Sequence, residues 1–178
     1  MKLNDDIYML AIPTPMAGTL NLSLILDPVH GPTLVDTGVP GMLGAIDTAL
    51  AEAGLSVRDL RRVIITHHDL DHIGSLPDVV QASGAQVLAH TEEVPYIEGT
   101  RPSPRMPPPA ALATMPPEQR RIFDNRPTAH VDSALNDGDV LDLAGGVHVV
   151  YTPGHTPGHI SLAPPAHQNT DHRRCRWR

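Results

Sequence analysis

This chain of 178 residues is poor in cysteine, in aromatic side chains and in positive charge. Its single cysteine rules out an intramolecular disulfide and favours a reducing compartment, so we expect a cytoplasmic protein. Aromatic residues are only 3% of the chain, so the core must consist of aliphatic side chains. Thirteen basic residues against 20 acidic ones give a net charge of −7, which disfavours a nucleic-acid partner. No apolar run approaches the length of about 18 residues that a membrane span needs.

The most informative segment is residues 66–74, Thr-His-His-Asp-Leu-Asp-His-Ile-Gly, which follows a predicted strand over 63–65. Five of its side chains can ligate a metal, namely His67, His68, Asp69, Asp71 and His72. Alternate residues of an extended strand end share a face, so His67, Asp69 and Asp71 point together and His68 points away. A slip of one residue in register would bring His68 in. Imidazole and carboxylate ligands without a nearby thiolate indicate a catalytic zinc, iron or manganese ion.

A second segment, residues 152–159, reads Thr-Pro-Gly-His-Thr-Pro-Gly-His and follows a predicted strand over 147–151. Its prolines fix φ, and its glycines permit backbone angles that are closed to other residues. The pattern predicts a stiff loop that holds His155 in one place. An ordinary turn without a ligand is the alternative.

Together the two segments resemble the metallo-β-lactamase superfamily, whose motif His-x-His-x-Asp-His is followed later by a Gly-His ligand. The repeated Thr-Pro-Gly-His is similar to the glyoxalase II-like branch. The resemblance implies that His67, Asp69 and His155 hold one metal ion, and that Asp71 and His72 hold a second. This chain has Asp69 where most members have His. A carboxylate is a harder ligand, so iron or manganese are alternatives to the two zinc ions that the family implies.

Four further residues are candidates around this centre. Asp36, in the family-like segment Leu-Val-Asp-Thr-Gly over 34–38, is expected to accept a hydrogen bond from a ligand histidine; a turn aspartate is the alternative. His68, His90 and His159 are candidates for the lining of the cleft. For His90, a polar surface position at a strand end is the alternative.

The resemblance implies an α+β fold, the metallo-β-lactamase-type αβ/βα sandwich. We expect residues 1–162 to form this domain with its second half incomplete. The bridging Asp and the final His ligand that the family has after its Gly-His loop are missing. Residues 163–178 are predicted to form an irregular tail, and a reading-frame shift near Thr170 would explain its composition; a natural basic tail is the alternative. Asp171 and His172 are not expected to replace the missing ligands, and an exposed sheet edge would favour a homo-oligomer.

Hydrophobic periodicity predicts strands over 7–12, 20–26, 33–35 and 85–89, helices over 42–53, 73–83 and 118–123, and a hairpin over 140–151. Residues 99–117 carry seven prolines and cannot form one regular element. We interpret them as an insertion over the mouth of the active site; a disordered surface loop is the alternative.

The function that the resemblance implies is metal-dependent hydrolysis of a small molecule. A metal-bound hydroxide would attack an ester, thioester or lactone carbonyl, and Asp71 would orient it. Two alternatives stay open. One is a single-iron enzyme similar to persulfide dioxygenases, and the other is a truncated, non-catalytic protein of the same fold. A nuclease of this fold is disfavoured by the acidic charge.

Overall fold

Nine strands form two sheets within residues 1–14 and 18–165, the part of the chain that this computed structural model describes. The strands are β1 (Ile7–Pro13), β2 (Thr19–Ile25), β3 (Thr33–Val35), β4 (Arg62–Ile65), β5 (Gln86–His90), β6 (Ser133–Leu135), β7 (Val140–Leu141), β8 (Val147–Tyr151) and β9 (Ile160–Ala163). The helices are α1 (Leu43–Ala51), α2 (Leu70–Ile73), α3 (Leu76–Ser83), α4 (Val94–Ile97), α5 (Pro109–Thr114) and α6 (Pro117–Asp124), with a 3-10 turn at Val57–Asp59.

The larger sheet has the order β1-β2-β3-β4-β5-β6 and is mixed. Strands β1 to β3 pair antiparallel, whereas β3 to β6 pair parallel, with Val35 opposite Ile64 and Ile65 opposite Ala89. Parallel strands all end on the same side of a sheet, which is where ligands bind in folds of this kind. The segments that follow β3, β4 and β5 are therefore brought together.

Two hydrophobic cores lie on opposite faces of the larger sheet, because successive side chains of a strand alternate. Val63 and Ile65 of β4 join the core shared with α1 and α3, whereas Ile64 joins the core between the two sheets. The antiparallel sheet β7-β8-β9 supplies Val149 and Ile160 to that second core. Helix layer, mixed sheet and second sheet confirm the predicted α+β class.

One predicted helix is interrupted at the metal-ligand motif. The helix expected over 73–83 is two helices, α2 and α3, separated at Gly74 and Ser75. A Cβ on Gly74 would lie 2.3 Å from the carbonyl carbon of Val39. The Ser75 hydroxyl donates to the carbonyl of Val39 at 2.7 Å and accepts from the Met42 amide at 2.8 Å. The break therefore docks the motif tightly onto the loop after β3.

Strand β9 extends to Ala163, one residue beyond the predicted end of the domain. Residues 166–178, which include most of the predicted irregular tail and the proposed frameshift position Thr170, lie outside the described residues.

Among the residues that the structure describes, every helix is too short or too polar to cross a lipid bilayer.

Candidate metal centre

The predicted ligands lie where the parallel strands end, facing a loop of the second sheet. Asp36 follows β3, residues 66–72 follow β4, and His155 belongs to the loop between β8 and β9. That loop is held at its base by two hydrogen bonds, from the Thr152 amide to the His159 carbonyl at 2.9 Å and from the Ile160 amide to the Thr66 carbonyl at 3.1 Å. The second of these bonds joins the two sheets directly beside the motif.

His67, Asp69 and His155 form a cluster whose ligand atoms all lie within 4.8 Å of one another. Nε2 of His155 is 2.9 Å from Oδ2 of Asp69, and Nε2 of His67 is 3.8 Å from the same oxygen. No other group of three such side chains is present in residues 1–14 and 18–165. The structure thus brings together the three side chains that were predicted for the first metal site, although Asp69 and His155 are 86 residues apart in the chain.

Hydrogen bonding presents His67 with a free lone pair at Nε2. The carboxylate of Asp36 accepts from the amide of Thr66 at 2.9 Å and from its hydroxyl at 2.9 Å. Since the hydroxyl has only one proton, it accepts at 3.0 Å from Nδ1–H of His67. Nε2 of His67 is then unprotonated, and it is buried without a hydrogen-bond partner. Burial, with a smaller contribution from His72, lowers the pKa of His67 to about 4, so its imidazole is neutral at pH 7.

Asp36 also orients His72, the predicted ligand of the second ion. Its Oδ2 accepts from Nδ1 of His72 at 2.8 Å, which turns Nε2 towards Asp71, whose Oδ2 is 3.6 Å away. Burial acts to lower the pKa of His72, but the hydrogen bond and charge of Asp36 and the charge of Asp71 raise it overall. Asp36 has a φ of 63°, a left-handed conformation that aspartate tolerates better than most residues. The structure therefore places Asp36 in hydrogen-bond contact with His72, the histidine predicted as a ligand of the second ion.

His159 lies next to the cluster, with its ring centroid 4.9 Å from that of His67. Its Nδ1 is 2.8 Å from the hydroxyl of Thr152. With His72 and Asp36 it lines a cavity of about 530 Å³ whose remaining walls are largely apolar side chains of both sheets. His159 therefore lies beside the cluster and in the wall of this cavity, which His67, Asp69 and His155 do not line.

The structure places His68 and His90 away from the ligand atoms, which corrects their assignment to the cleft. His68 is fully buried, with Nδ1 against the carboxylate of Glu93 and Nε2 2.8 Å from the hydroxyl of Ser103. His90 is buried and stacks on Tyr151, with ring centroids 4.6 Å apart. Because successive side chains alternate in direction at the strand end, His67 points into the cluster and His68 points into the protein interior.

Sequence reasoning missed Thr66 and Glu93. Thr66 stands at the head of the motif, and its hydroxyl was a visible signal. No sequence feature pointed to Glu93, because nothing in the sequence shows that the turn after β5 contacts both the segment after β4 and the loop between β8 and β9. Its burial acts to raise the pKa, but hydrogen bonds from His68, Thr156 and Gly158 outweigh it and lower the pKa to about 2. Glu93 is therefore a buried carboxylate that is ionised at neutral pH.

The proline-rich segment contacts the metal-ligand motif through two side chains. Ser103 is buried against His68, and the guanidinium Nε of Arg105 lies 3.1 Å from Oδ2 of Asp69. Nη1 of Arg105 also donates to the carbonyl of His155 at 3.4 Å. Arg105 is half exposed, so it stands between the cluster and solvent.

These side chains fit a divalent metal ion. Two imidazoles and one carboxylate are ligands of the type that zinc, iron and manganese accept. A buried ring nitrogen without a partner, as at His67, is costly in a protein that binds nothing there. Asp36 accepts hydrogen bonds from His72 directly and from Thr66, which in turn accepts from His67, and this fixes both histidines in the tautomer that a metal needs.

Comparison with known proteins agrees with this geometry. The sequence profile of the family described as the metallo-beta-lactamase superfamily matches residues 19–167. The chain is 32% identical to the probable metallo-hydrolase YflN of Bacillus subtilis, over 75% of this chain and 51% of that protein. It is 27% identical to the hydroxyacylglutathione hydrolase GloC of Haemophilus influenzae, over 80% of this chain and 59% of that protein.

Solved structures show the same fold. A subclass B3 metallo-beta-lactamase of Bradyrhizobium japonicum superposes with a TM-score of 0.69 and 28% identity, over 91% of this chain and 55% of that one. The metallo-beta-lactamase GOB-18 of Elizabethkingia meningoseptica gives a TM-score of 0.70 at 20% identity. The chain spans about half the length of the curated relatives it matches.

Proposed function

The chain belongs to the metallo-β-lactamase superfamily, among metallo-hydrolases with glyoxalase II-like relatives, and from this membership we propose that it is a metal-dependent hydrolase of a small carbonyl substrate. The substrate class that we propose is an ester, thioester or lactone. Relatives named hydroxyacylglutathione hydrolases favour an acyl-glutathione thioester within that class.

The observation that carries this proposal is the convergence of His67, Asp69 and His155 around one point, with the lone pair of His67 free. These residues would hold one ion, and Asp71 with His72 would hold a second, both of them zinc in the leading case. A bound divalent ion would supply Lewis acidity that activates water and polarises a carbonyl. We propose Asp71, which is about half exposed, as the residue that orients the attacking water.

The substrate would enter beside the proline-rich segment. Arg105 is the cation nearest to the cluster on this side, and its guanidinium already contacts Asp69 and the carbonyl of His155. A segment that is tied down at Ser103 and carries a charge over the ligands is suited to control access.

Metal quantification beside a panel of thioester and lactone substrates tests the proposal. The wild-type chain reconstituted with zinc should bind at least about one ion and hydrolyse one substrate class. Asp69→Asn and His155→Asn should lose both metal and activity, whereas Asp78→Asn, at an exposed position on α3, should keep both. A folded wild-type chain that binds no metal would overturn the proposal.

A single-iron dioxygenase is the second candidate, and one observation favours it. The three clustered side chains are two histidines and one carboxylate, the set that holds iron(II) in many oxygenases. Oxygen consumption with a persulfide substrate by the iron-loaded chain, without hydrolysis of any thioester or lactone by the zinc-loaded chain, would select this alternative.

A further inference from the structure

The side chain of Glu93 lies in the interior between the two segments that carry the ligands. It follows β5 and directly precedes α4, and its exposed fraction is 0%. Oε2 accepts hydrogen bonds from the amide and from Nδ1 of His68. Oε1 accepts hydrogen bonds from the hydroxyl of Thr156 and from the amide of Gly158, both at 2.7 Å. Four donors therefore use the full acceptor capacity of one carboxylate.

The donors are the immediate neighbours of the clustered ligands. His68 stands between His67 and Asp69, and Thr156 follows His155. One carboxylate thus binds a segment from the end of β4 in the larger sheet and the loop between β8 and β9 in the smaller sheet. Because the ligands come from two different sheets, their separation depends on what joins the sheets at this point.

The packing around Glu93 is as specific as its hydrogen bonding. A Cβ on Gly158 would lie 2.8 Å from Cγ of Glu93, so this glycine of the repeated motif is required by the contact. On the other side, Nδ1–H of His68 donates to the carboxylate, which leaves Nε2 to accept from the hydroxyl of Ser103 at 2.8 Å. The same chain of hydrogen bonds thereby anchors the proline-rich segment.

We propose that Glu93 is a positioning residue for the metal centre, which holds the segment 67–69 against the loop 155–158 so that three ligands from two sheets are set at coordination distance before a metal binds. This inference rests on the proposed function, because it takes His67, Asp69 and His155 as the ligands. Glu93 acts through His68, Thr156 and Gly158 and is not itself a ligand.

The test compares the full-length wild type with Glu93→Gln, and with Glu92→Gln as the matched control at the exposed neighbouring position. A glutamine can accept only at its carbonyl oxygen, so its NH₂ group would face donors of one segment. We expect Glu93→Gln to bind zinc at least about tenfold more weakly in competition with a chromophoric chelator, at a temperature where circular dichroism shows it folded. The absorption spectrum of its cobalt-loaded form should also change, since the ligand geometry is altered. Glu92→Gln should match the wild type in both.

A purely structural role would lower the melting temperature of Glu93→Gln but leave the zinc affinity and cobalt spectrum of the folded protein unchanged, and that result would overturn the inference. If Glu93→Gln does not fold, Thr156→Val replaces it, because it removes one donor and keeps the shape. A severalfold loss of zinc affinity is then expected, and unchanged affinity would overturn the inference. A wild type that binds no metal would overturn the proposed function as well, whereas metal binding that is insensitive to these variants would overturn only the role of Glu93.

Discussion

Replacing Asp36 by Asn tests how the ligand histidines are oriented. Asp36 receives three hydrogen bonds, two from Thr66 and one from Nδ1 of His72. An amide with its oxygen at the Oδ1 position can keep both bonds from Thr66, since the hydroxyl also lies 3.1 Å from that atom, but its NH₂ group would then face Nδ1 of His72. Two donors cannot share that contact, so the proton of His72 would move to Nε2, the nitrogen that faces Asp71.

The expected loss of metal affinity follows from this change of tautomer. A proton on Nε2 blocks the lone pair that would bind the second ion, and removing an outer partner of a ligand histidine typically weakens metal binding by about 10–100-fold. That range corresponds to about 1.4–2.7 kcal/mol. Folding should be largely preserved, because asparagine tolerates the left-handed conformation that Asp36 adopts, with its φ of 63°.

Zinc titrations of Asp36→Asn should therefore show weaker binding of the second equivalent, and nitrogen-15 NMR of the metal-free protein should report the altered tautomer of His72. Asp78→Asn is the control, because that carboxylate is exposed on α3. An Asp36→Asn protein with wild-type affinity for both equivalents and the wild-type tautomer of His72 would refute the reasoning.

Three other perturbations have defined outcomes. In the metal-free protein the pKa of His67, about 4 against 6.5 for the free side chain, means that the unfolded chain binds more protons between these values. When the pH is lowered from 7.5 to 4.5, the free energy of unfolding should therefore fall by about 2 kcal/mol more in the wild type than in His67→Gln. Urea denaturation measures this difference, and equal losses in the two proteins would contradict the prediction. Gly74→Ala should destabilise the protein by about 1–3 kcal/mol through overpacking. Gly44→Ala, in an open position of α1, should be neutral or stabilising in the same thermal melts, and similar losses in both would exclude the overpacking explanation. Arg105→Gln should bind zinc up to about tenfold more tightly at low salt, because a cation 3.1 Å from Asp69 is removed, and a gain that persists in 1 M salt would argue against electrostatics.

Much of the fold could be predicted because the hydrophobic pattern of its strands is visible in the sequence. The run over 63–65 is apolar at every position because both faces of β4 are covered, and it is found as β4. The helix over 73–83 was wrong at its start, because the hydrophobic pattern continues across Gly74. What interrupts the helix is the contact of Gly74 and Ser75 with the loop after β3, and tertiary contacts of this kind leave no local signal.

The cluster of His67, Asp69 and His155 could be predicted from the sequence for a different reason. Strand-end alternation separated His67 and Asp69 from His68 without any knowledge of the partner segment. His90 shows the limit of that reasoning, because its stacking on Tyr151 depends on how the two sheets pack. Glu93 could not be identified by this reasoning, since its four hydrogen-bond donors come from segments that are 25 to 65 residues away in the chain.

The departure at Asp69 and the proline-rich segment are linked through electrostatics. A carboxylate in place of an imidazole adds a negative charge to the ligand cluster, and the charges of Asp36, Asp71 and Asp69 all act on His72. Nε of Arg105 lies 3.1 Å from Oδ2 of Asp69, and the charge of Asp69 also acts on the partly buried guanidinium of Arg126, whose pKa is lowered by burial. A divalent ion at His67, Asp69 and His155 would compete with Arg105 for Oδ2 of Asp69. Arg105 therefore balances part of the extra charge in the absence of metal, and metal binding at the proposed site would displace its guanidinium from Asp69.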